Sequence, residues 1–286
     1  MTTRTGSLDG MAALVTGGGS GLGLACARHL ARDGAVVTIA GRTEERLRRA
    51  AAELTQDAGA PVHWVVCDVT DEAAVEAAVA RAAEPVGGLH IAVANAGGGM
   101  GGSLFSMPLE MWRYVMEVNV TGPFLTIKHA GQAMVKSGGG AIVATSSIAA
   151  VLTHRFMAPY CASKAALEML VKCAADELGQ LGVRVNAVRP GLVPTELASV
   201  LADDPVVVDD YLDQIPLGRL GTGDDVAAAI RYLVGPESDW VTGQCFAVDG
   251  GHTMRRGPRV ESMIERLMGR EAISGLATPK SDRQDS

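Results

Sequence analysis

Met11-Ala12-Ala13-Leu14-Val15-Thr16-Gly17-Gly18-Gly19-Ser20-Gly21-Leu22-Gly23 reads as a strand, a glycine turn and the opening of a helix. The apolar run from Met11 to Val15 has the length and composition of a buried strand. A helical pattern follows from Leu22 to about Asp33. Glycines allow positive φ and close approach of a ligand to the backbone. A turn that leaves a strand and opens a helix sets free N–H groups against an anion, a pyrophosphate above all. The spacing Gly17-x-x-x-Gly21-x-Gly23 differs from G-x-G-x-x-G, and the chain has no G-x-x-x-x-G-K-[ST], which argues against a P-loop phosphotransferase.

Outward from this stretch, strands and helices alternate. Val36 to Ala40 reads as a second strand and Glu44 to Ala58 as a helix. Val62 to Cys67 is a third strand, followed by an alanine-rich helix from Asp71 to Glu84 and a fourth strand from Leu89 to Ala94. A long helix is expected over Pro108 to Ser137 with a kink at Pro123. Ala141 to Thr145 is a fifth strand, Tyr160 to Leu181 a helix and Val183 to Val188 a sixth strand. Asp224 to Val234 and Cys245 to Val248 supply a last helix and a last strand. Near-continuous apolar strands between helices predict a single α/β domain: a doubly wound, mostly parallel, seven-stranded sheet with helices on both faces. Its ligand would lie at the carboxyl ends of the strands. No solenoid repeat and no interdomain linker interrupts the pattern.

The 286 residues, 20% charged and 48% hydrophobic, suit one soluble globular domain with a sizeable core. A net charge of −7 argues against a nucleic-acid binder. Apolar stretches are strand-sized, so no membrane span is expected. Met1 to Asp9 is polar and lacks a signal-peptide core, which makes a cytoplasmic location the expectation. Five scattered cysteines without a C-x-x-C pair, and six histidines without H-x-x-x-H spacing, predict neither a disulfide scaffold nor a metal site. Asn119-Val120-Thr121 fits a glycosylation sequon but falls inside an expected helix of a cytoplasmic chain, so it is discounted.

The chemistry concentrates in Tyr160-Cys161-Ala162-Ser163-Lys164, with Ser147 thirteen positions upstream. An unperturbed tyrosine has a pKa of about 10 and is a poor acid or base at neutral pH. A lysine one helical turn away shares its face and can favour the phenolate. Ser147 follows the fifth strand, so its hydroxyl faces the start of the helix that carries Tyr160 and Lys164. That arrangement suits proton transfer to or from a carbonyl or alcohol.

With these motifs in order, the chain resembles the short-chain dehydrogenase/reductase family over about Leu8 to Gly251. Thr16 to Gly23 matches the family's T-G-x-x-x-G-x-G turn, and Asn95-Ala96-Gly97 its N-N-A-G motif with Ala94 in place of the first Asn. Asp68-Val69, Asn119, Pro190-Gly191 with Thr195, and Asp249-Gly250-Gly251 fall where the family places its remaining motifs. The resemblance implies a Rossmann-like fold and hydride exchange between a nicotinamide cofactor and a carbonyl or secondary alcohol. It implies Tyr160 as general acid and base, Ser147 orienting the substrate oxygen, Lys164 lowering the Tyr160 pKa and holding the nicotinamide ribose, and Asn119 in a proton relay. Thr16, Gly17, Gly19, Ser20, Gly21, Leu22, Gly23, Arg42, Asp68, Val69, Asn95, Ala96, Gly97, Tyr160, Lys164, Pro190, Gly191, Val193 and Thr195 are the cofactor-binding set it implies. A 3-oxoacyl- or enoyl-thioester reductase-like activity, a non-catalytic dinucleotide-binding module, and an epimerase or dehydratase with bound cofactor stay open beside it.

Cofactor choice turns on Ala40-Gly41-Arg42-Thr43, which ends the second strand without the acid that would hold a ribose 2′-OH. Arg42 can pair with a 2′-phosphate, so NADP(H) is favoured over NAD(H). The substrate is a small carbonyl or alcohol that the sequence does not specify further. Leu192 to Arg219 reads as an apolar lid or an amphipathic helix with its acids in water, and Gly97 to Gly102 as a loop beside the site. By position His154, Phe156 and Met157 line the pocket. The domain is expected over residues 9–251, after an extension of residues 1–8 and before a C-terminal extension over 252–286. A helix is expected over Val260 to Met268 and a disordered end after Leu276. By resemblance a homodimer or homotetramer forms through the helices that follow strands four and five.

Overall fold

Residues 8–99 and 101–254, with Met263, Arg266 and Leu267, are described by the computed structural model. The chain divides into two units, Met1–Thr253 and Met254–Ser286. In the second, Met263, Arg266 and Leu267 are helical, while the rest of the helix expected there and the expected disordered tail lie outside the described residues. Of the expected N-terminal extension, only Leu8 is described; it is fully buried in the core, and its N–H donates to the Asp33 carbonyl, so it belongs with the domain.

Seven strands form the sheet: β1 (Ala12–Thr16), β2 (Val36–Gly41), β3 (His63–Val66), β4 (Ile91–Ala94), β5 (Gly140–Thr145), β6 (Val183–Pro190) and β7 (Cys245–Val248). Their order is β3-β2-β1-β4-β5-β6-β7, and every neighbouring pair is parallel, so the antiparallel edge that "mostly" left room for is absent among the described residues. The order reverses between β1 and β4, which opens the crevice at their carboxyl ends.

Alternation along β1 builds both cores. Ala13 and Val15 face the layer of α1 (Gly21–Arg32), α2 (Glu44–Ala58) and α9 (Gly223–Val234), whereas Ala12 and Leu14 face the layer of α3 (Glu72–Ala83), α5 (Gly122–Lys136) and α6 (Ala158–Gly179). Helix ends follow local chemistry. Asp71 caps α3 by accepting from the Ala74 N–H, and Thr222 with Asp225 forms a capping box on α9. Gly59 ends α2 at φ 68°, where a side chain would be strained.

The long helix expected over 108–137 is instead α4 (Leu109–Met116), a π turn over Glu117–Thr121, and α5, with Pro123 in the first turn of α5. Pro123 has no N–H for the Asn119 carbonyl and crowds it, and the wider turn relieves this: the Gly122 N–H reaches back to Glu117. The turn places Asn119, fully buried, against the sheet ends. The segment expected as one lid holds two helices, α7 (Ser199–Ala202) and α8 (Pro205–Gln214). Asp204 caps α8 through the Val206 and Val207 N–H groups, so one of the lid's acids is structural.

Candidate active site

The crevice holds a cavity of about 370 Å³. Its walls come from the β1–α1 turn, the ends of β2, β4, β5 and β6, the start of α6, and the segment through α8. The turn is held from behind. Thr16 Oγ1 donates to the Val93 carbonyl (3.2 Å) and accepts from the Asn95 and Ala96 N–H groups (3.0 and 3.1 Å). Asn95 Nδ2 donates to the Thr16 and Gly17 carbonyls (3.1 and 3.4 Å), and Thr145 Oγ1 donates to Asn95 Oδ1 (3.2 Å). This web joins β1, β4 and β5 at the switch point.

Gly17, at φ 67°, packs so closely on Asn95 that a Cβ there would stand 2.9 Å from Nδ2. A Cβ on Gly23 would stand 2.8 Å from the carbonyl carbon of Gly17 and closer still to its oxygen. Ser20 precedes α1 without a side-chain cap. The first-turn N–H groups, which no carbonyl within the helix can reach, are therefore left for a ligand. A cradle of bare backbone at an uncapped helix N-terminus fits the pyrophosphate of a dinucleotide.

At the other end Lys164 is buried, and its Nζ donates to the Thr145 carbonyl (2.8 Å) and lies 5.6 Å from the centroid of the Tyr160 ring. Burial pushes the Lys164 ammonium down to about 8. The Tyr160 hydroxyl is pushed above its ordinary value by burial, with the Ser147 hydroxyl beside it pulling the other way. Desolvation costs the phenolate more than the serine contact returns. Ser147 Oγ also accepts from the Ala149 N–H (3.1 Å), which fixes the hydroxyl at the end of β5.

Of the residues expected at the site, Gly17, Ser20, Gly21, Leu22, Arg42, Asp68, Val69, Asn95, Ala96, Gly97, Ser147, Tyr160, Lys164, Pro190, Gly191, Val193 and Thr195 line the cavity. Thr16, Gly19, Gly23 and Asn119 do not. Asn119 is committed elsewhere: its Oδ1 accepts from the Gly98 N–H (2.9 Å), and its Nδ2 donates to the Gly98 carbonyl (2.8 Å) and to Ser163 Oγ (3.1 Å). It ties the glycine loop after β4 to α6. His154 and Met157 line the cavity as expected, but Phe156 turns out to solvent at φ 65° while its carbonyl accepts from the Gly102 N–H (2.7 Å).

Asp68 Oδ1 accepts from the Thr70 N–H and hydroxyl (3.0 and 2.8 Å), which, with Arg42 nearby, holds its carboxyl below the usual range. Arg46, not anticipated, packs over Gly19 and pairs in bidentate fashion with Glu196 (2.9 and 3.0 Å), so α2 is strapped to the segment after β6 across the cradle. Glu168 is likewise invisible to motif reading. It is buried on α6, accepts from Ser146 Oγ (2.8 Å), and pairs with Arg189 (2.9 and 2.6 Å) just before Pro190. A salt bridge between a helix and a distant strand or loop carries no local signature. Among the described residues no cluster of His, Cys, Asp or Glu could hold a metal ion, and no helix is long and apolar enough to cross a membrane.

A fully parallel sheet with a glycine cradle at its switch point and a Ser–Tyr–Lys set beyond it defines a dinucleotide-dependent oxidoreductase. Comparison with known proteins specifies the family. The model described as enoyl-(acyl carrier protein) reductase matches residues 17–253. Galactitol 2-dehydrogenase (L-tagatose-forming) of Cereibacter sphaeroides is 41% identical over 249 residues, 86% of this chain and 96% of that one. A short-chain type dehydrogenase/reductase from Mycobacterium ulcerans superposes with a TM-score of 0.85 at 39% identity, covering 94% of this chain and 99% of the other. A gluconate 5-dehydrogenase from Burkholderia cenocepacia J2315, in complex with NADP and tartrate, superposes with a TM-score of 0.83 at 35% identity, covering 87% and 97%. The chain belongs to the short-chain dehydrogenase/reductase family and is an NAD(P)-dependent oxidoreductase acting on the CH–OH group.

Proposed function

We propose that this protein is an NADP(H)-dependent dehydrogenase of secondary alcohols and the corresponding ketones, with Tyr160 as its proton donor and acceptor. The observation that carries the reading is Lys164. A buried ammonium depressed from 10.5 to about 8 costs about 3 kcal/mol. It sits beside Tyr160 on the cavity that also holds the glycine cradle. A fold retains such a charge where chemistry uses it.

A bound nicotinamide dinucleotide supplies or takes up the hydride. The chain's residues do the rest. The N–H groups of the β1–α1 turn hold the pyrophosphate, Arg42 holds the 2′-phosphate, and Asp68 with Val69 borders the adenine. Lys164 holds the ribose hydroxyls of the nicotinamide half, and Pro190 to Thr195 borders the ring. Ser147 holds the substrate oxygen, and Tyr160 gives its proton to a carbonyl or takes one from an alcohol. Thr16, Gly19, Gly23 and Asn119 act from behind the wall as positioning residues. NADP(H) is favoured over NAD(H) because Arg42 lines the cavity after Gly41 and no acid ends β2, and the relative crystallised with NADP agrees. The thioester-reductase reading draws support only from the description of the family model.

The outer groove between α5 and α6, lined by Phe124, Ile127, Val135, Leu170, Leu178 and Leu181, fits a second copy of the chain, making a homodimer or homotetramer. Five free thiols suit the reducing cytoplasm.

Fluorescence titration with NADPH and NADH tests the reading. NADPH binds more tightly, Arg42→Ala removes the difference, and Tyr160→Phe retains NADPH binding while turnover falls at least about a hundredfold. Equal affinity for the two cofactors, or turnover by Tyr160→Phe near that of the unaltered protein, overturns it.

A further inference from the structure

Beyond Tyr160 and Ser147, the substrate end of the cavity is lined mostly by apolar side chains, Ile148, Met157, Leu192, Val193 and Leu201 among them. One polar pair interrupts this wall. His154, from the loop between β5 and α6, places its Nε2 3.0 Å from the hydroxyl of Tyr211 on α8, and both residues line the cavity. Behind Tyr211 the buried ring of His252 packs edge-on, with centroids 5.2 Å apart and planes at 71°, and holds the phenol in place.

The pair has a defined polarity. Nδ1 of His154 lies 3.2 Å from the Leu152 carbonyl, which can only accept, so Nδ1 carries the proton. In the neutral imidazole Nε2 is then an acceptor, and it takes the one proton of the Tyr211 hydroxyl. Tyr211 is left with free lone pairs and nothing to donate. Among the described lining residues the only cations are Arg42, on the β2 side, and Lys164, beside Tyr160. With the imidazole neutral, the His154–Tyr211 pair offers a carboxylate neither a cation nor a donor.

We propose that His154 and Tyr211 form a second anchor in the substrate pocket that accepts a hydrogen bond from a distal hydroxyl, so that the preferred substrates are neutral diols and hydroxyketones rather than monofunctional alcohols or hydroxycarboxylates. This rests on the redox reading above and specifies its substrate class. The apolar wall covers the carbon skeleton, Ser147 and Tyr160 take the reacting oxygen, and Tyr211 takes the remote one. A site built around an acceptor discriminates strongly, since an analogue without the donor leaves a desolvated oxygen unpaired.

The test is a kinetic and binding panel on the NADP-loaded protein: the 1,2-, 1,3- and 1,4-cyclohexanediols, cyclohexanol and 4-hydroxycyclohexanecarboxylate. The best diol is expected to exceed cyclohexanol and the hydroxycarboxylate at least tenfold in kcat/KM, and to bind more tightly in calorimetric titration. Tyr211→Phe is expected to shrink the diol-to-cyclohexanol ratio about tenfold through KM. His154→Leu releases the Tyr211 proton for donation, so the ratio of hydroxycarboxylate to diol should rise, a shift that damage to the fold alone would not produce. Cyclohexanol matching every diol in both turnover and binding overturns the proposal, as does an unchanged ratio in Tyr211→Phe. Failure of the redox reading looks different: no alcohol is oxidised, yet the calorimetric preference for the diols still decides the anchor.

Discussion

Gly23→Ala sets two effects of opposite sign against each other. Gly23 is the third residue of α1, and in a helix the exchange of glycine for alanine by itself stabilises by about 1 kcal/mol. The added methyl, however, would stand 2.6 Å from Asn95 Nδ2 and 2.8 Å from the Gly17 carbonyl carbon, with the Gly17 oxygen nearer still. These are backbone atoms and a side chain pinned by two donated hydrogen bonds, so nothing there moves freely. Overpacking of this kind costs about 1–3 kcal/mol. Displacing Asn95 from the Thr16 and Gly17 carbonyls costs about 1 kcal/mol for each bond lost. The net expectation is a loss of about 2–4 kcal/mol and a turn whose N–H groups no longer converge. Urea denaturation measures the first, and NADPH titration the second, as a rise in Kd of about tenfold or more. Gly179→Ala is the control: it ends α6 with open space around it, so only the helical term operates and stability holds or rises. A Gly23→Ala protein as stable as the parent, with unchanged NADPH affinity, would refute the steric argument.

Two further predictions concern buried charge. The Lys164 pKa is depressed in the folded state, so between about pH 8 and 10.5 the unfolded chain binds the additional proton, and stability rises with pH across that window. Relative to Lys164→Met, the unaltered protein should gain up to about 3 kcal/mol from pH 7 to above 10 in denaturation experiments; a constant or widening deficit contradicts the assignment. Glu168→Ala leaves the partly buried Arg189 guanidinium and the buried Ser146 hydroxyl without their acceptor, and should cost about 1–3 kcal/mol in urea denaturation. In the double variant Glu168→Met with Arg189→Met most of that loss should return, and a double variant as unstable as the single one would show that the pair is not the source.

Much of this architecture was legible in the chain because its signals are local. A five-residue apolar strand, a glycine turn and a 3.6-residue period are short-range patterns, and α2 and β7 fall where those patterns placed them. The π turn was not legible. Pro123 announces a broken hydrogen bond, but whether the helix kinks or widens depends on what Asn119 and Gly122 pack against, and Gly122 lies against Val69. Phe156 was misplaced for a similar reason: sequence position sets it near the cavity, while its φ of 65° turns the side chain away.

The sequence by itself determined the strand and helix order, the cradle and the Ser147–Tyr160–Lys164 set, because each is encoded by spacing along a few consecutive residues or one helix face. Only the tertiary structure decided which groups meet across it. Glu196 reaches Arg46 over an interval of 150 residues, Arg189 reaches Glu168, and Tyr211 reaches His154 over 57. Tertiary structure decided electrostatics too: the desolvation that raises Tyr160 and lowers Lys164 follows from how the sheet ends, α6 and the loops close around them. Burial is a property of the packed whole, and no spacing rule carries it.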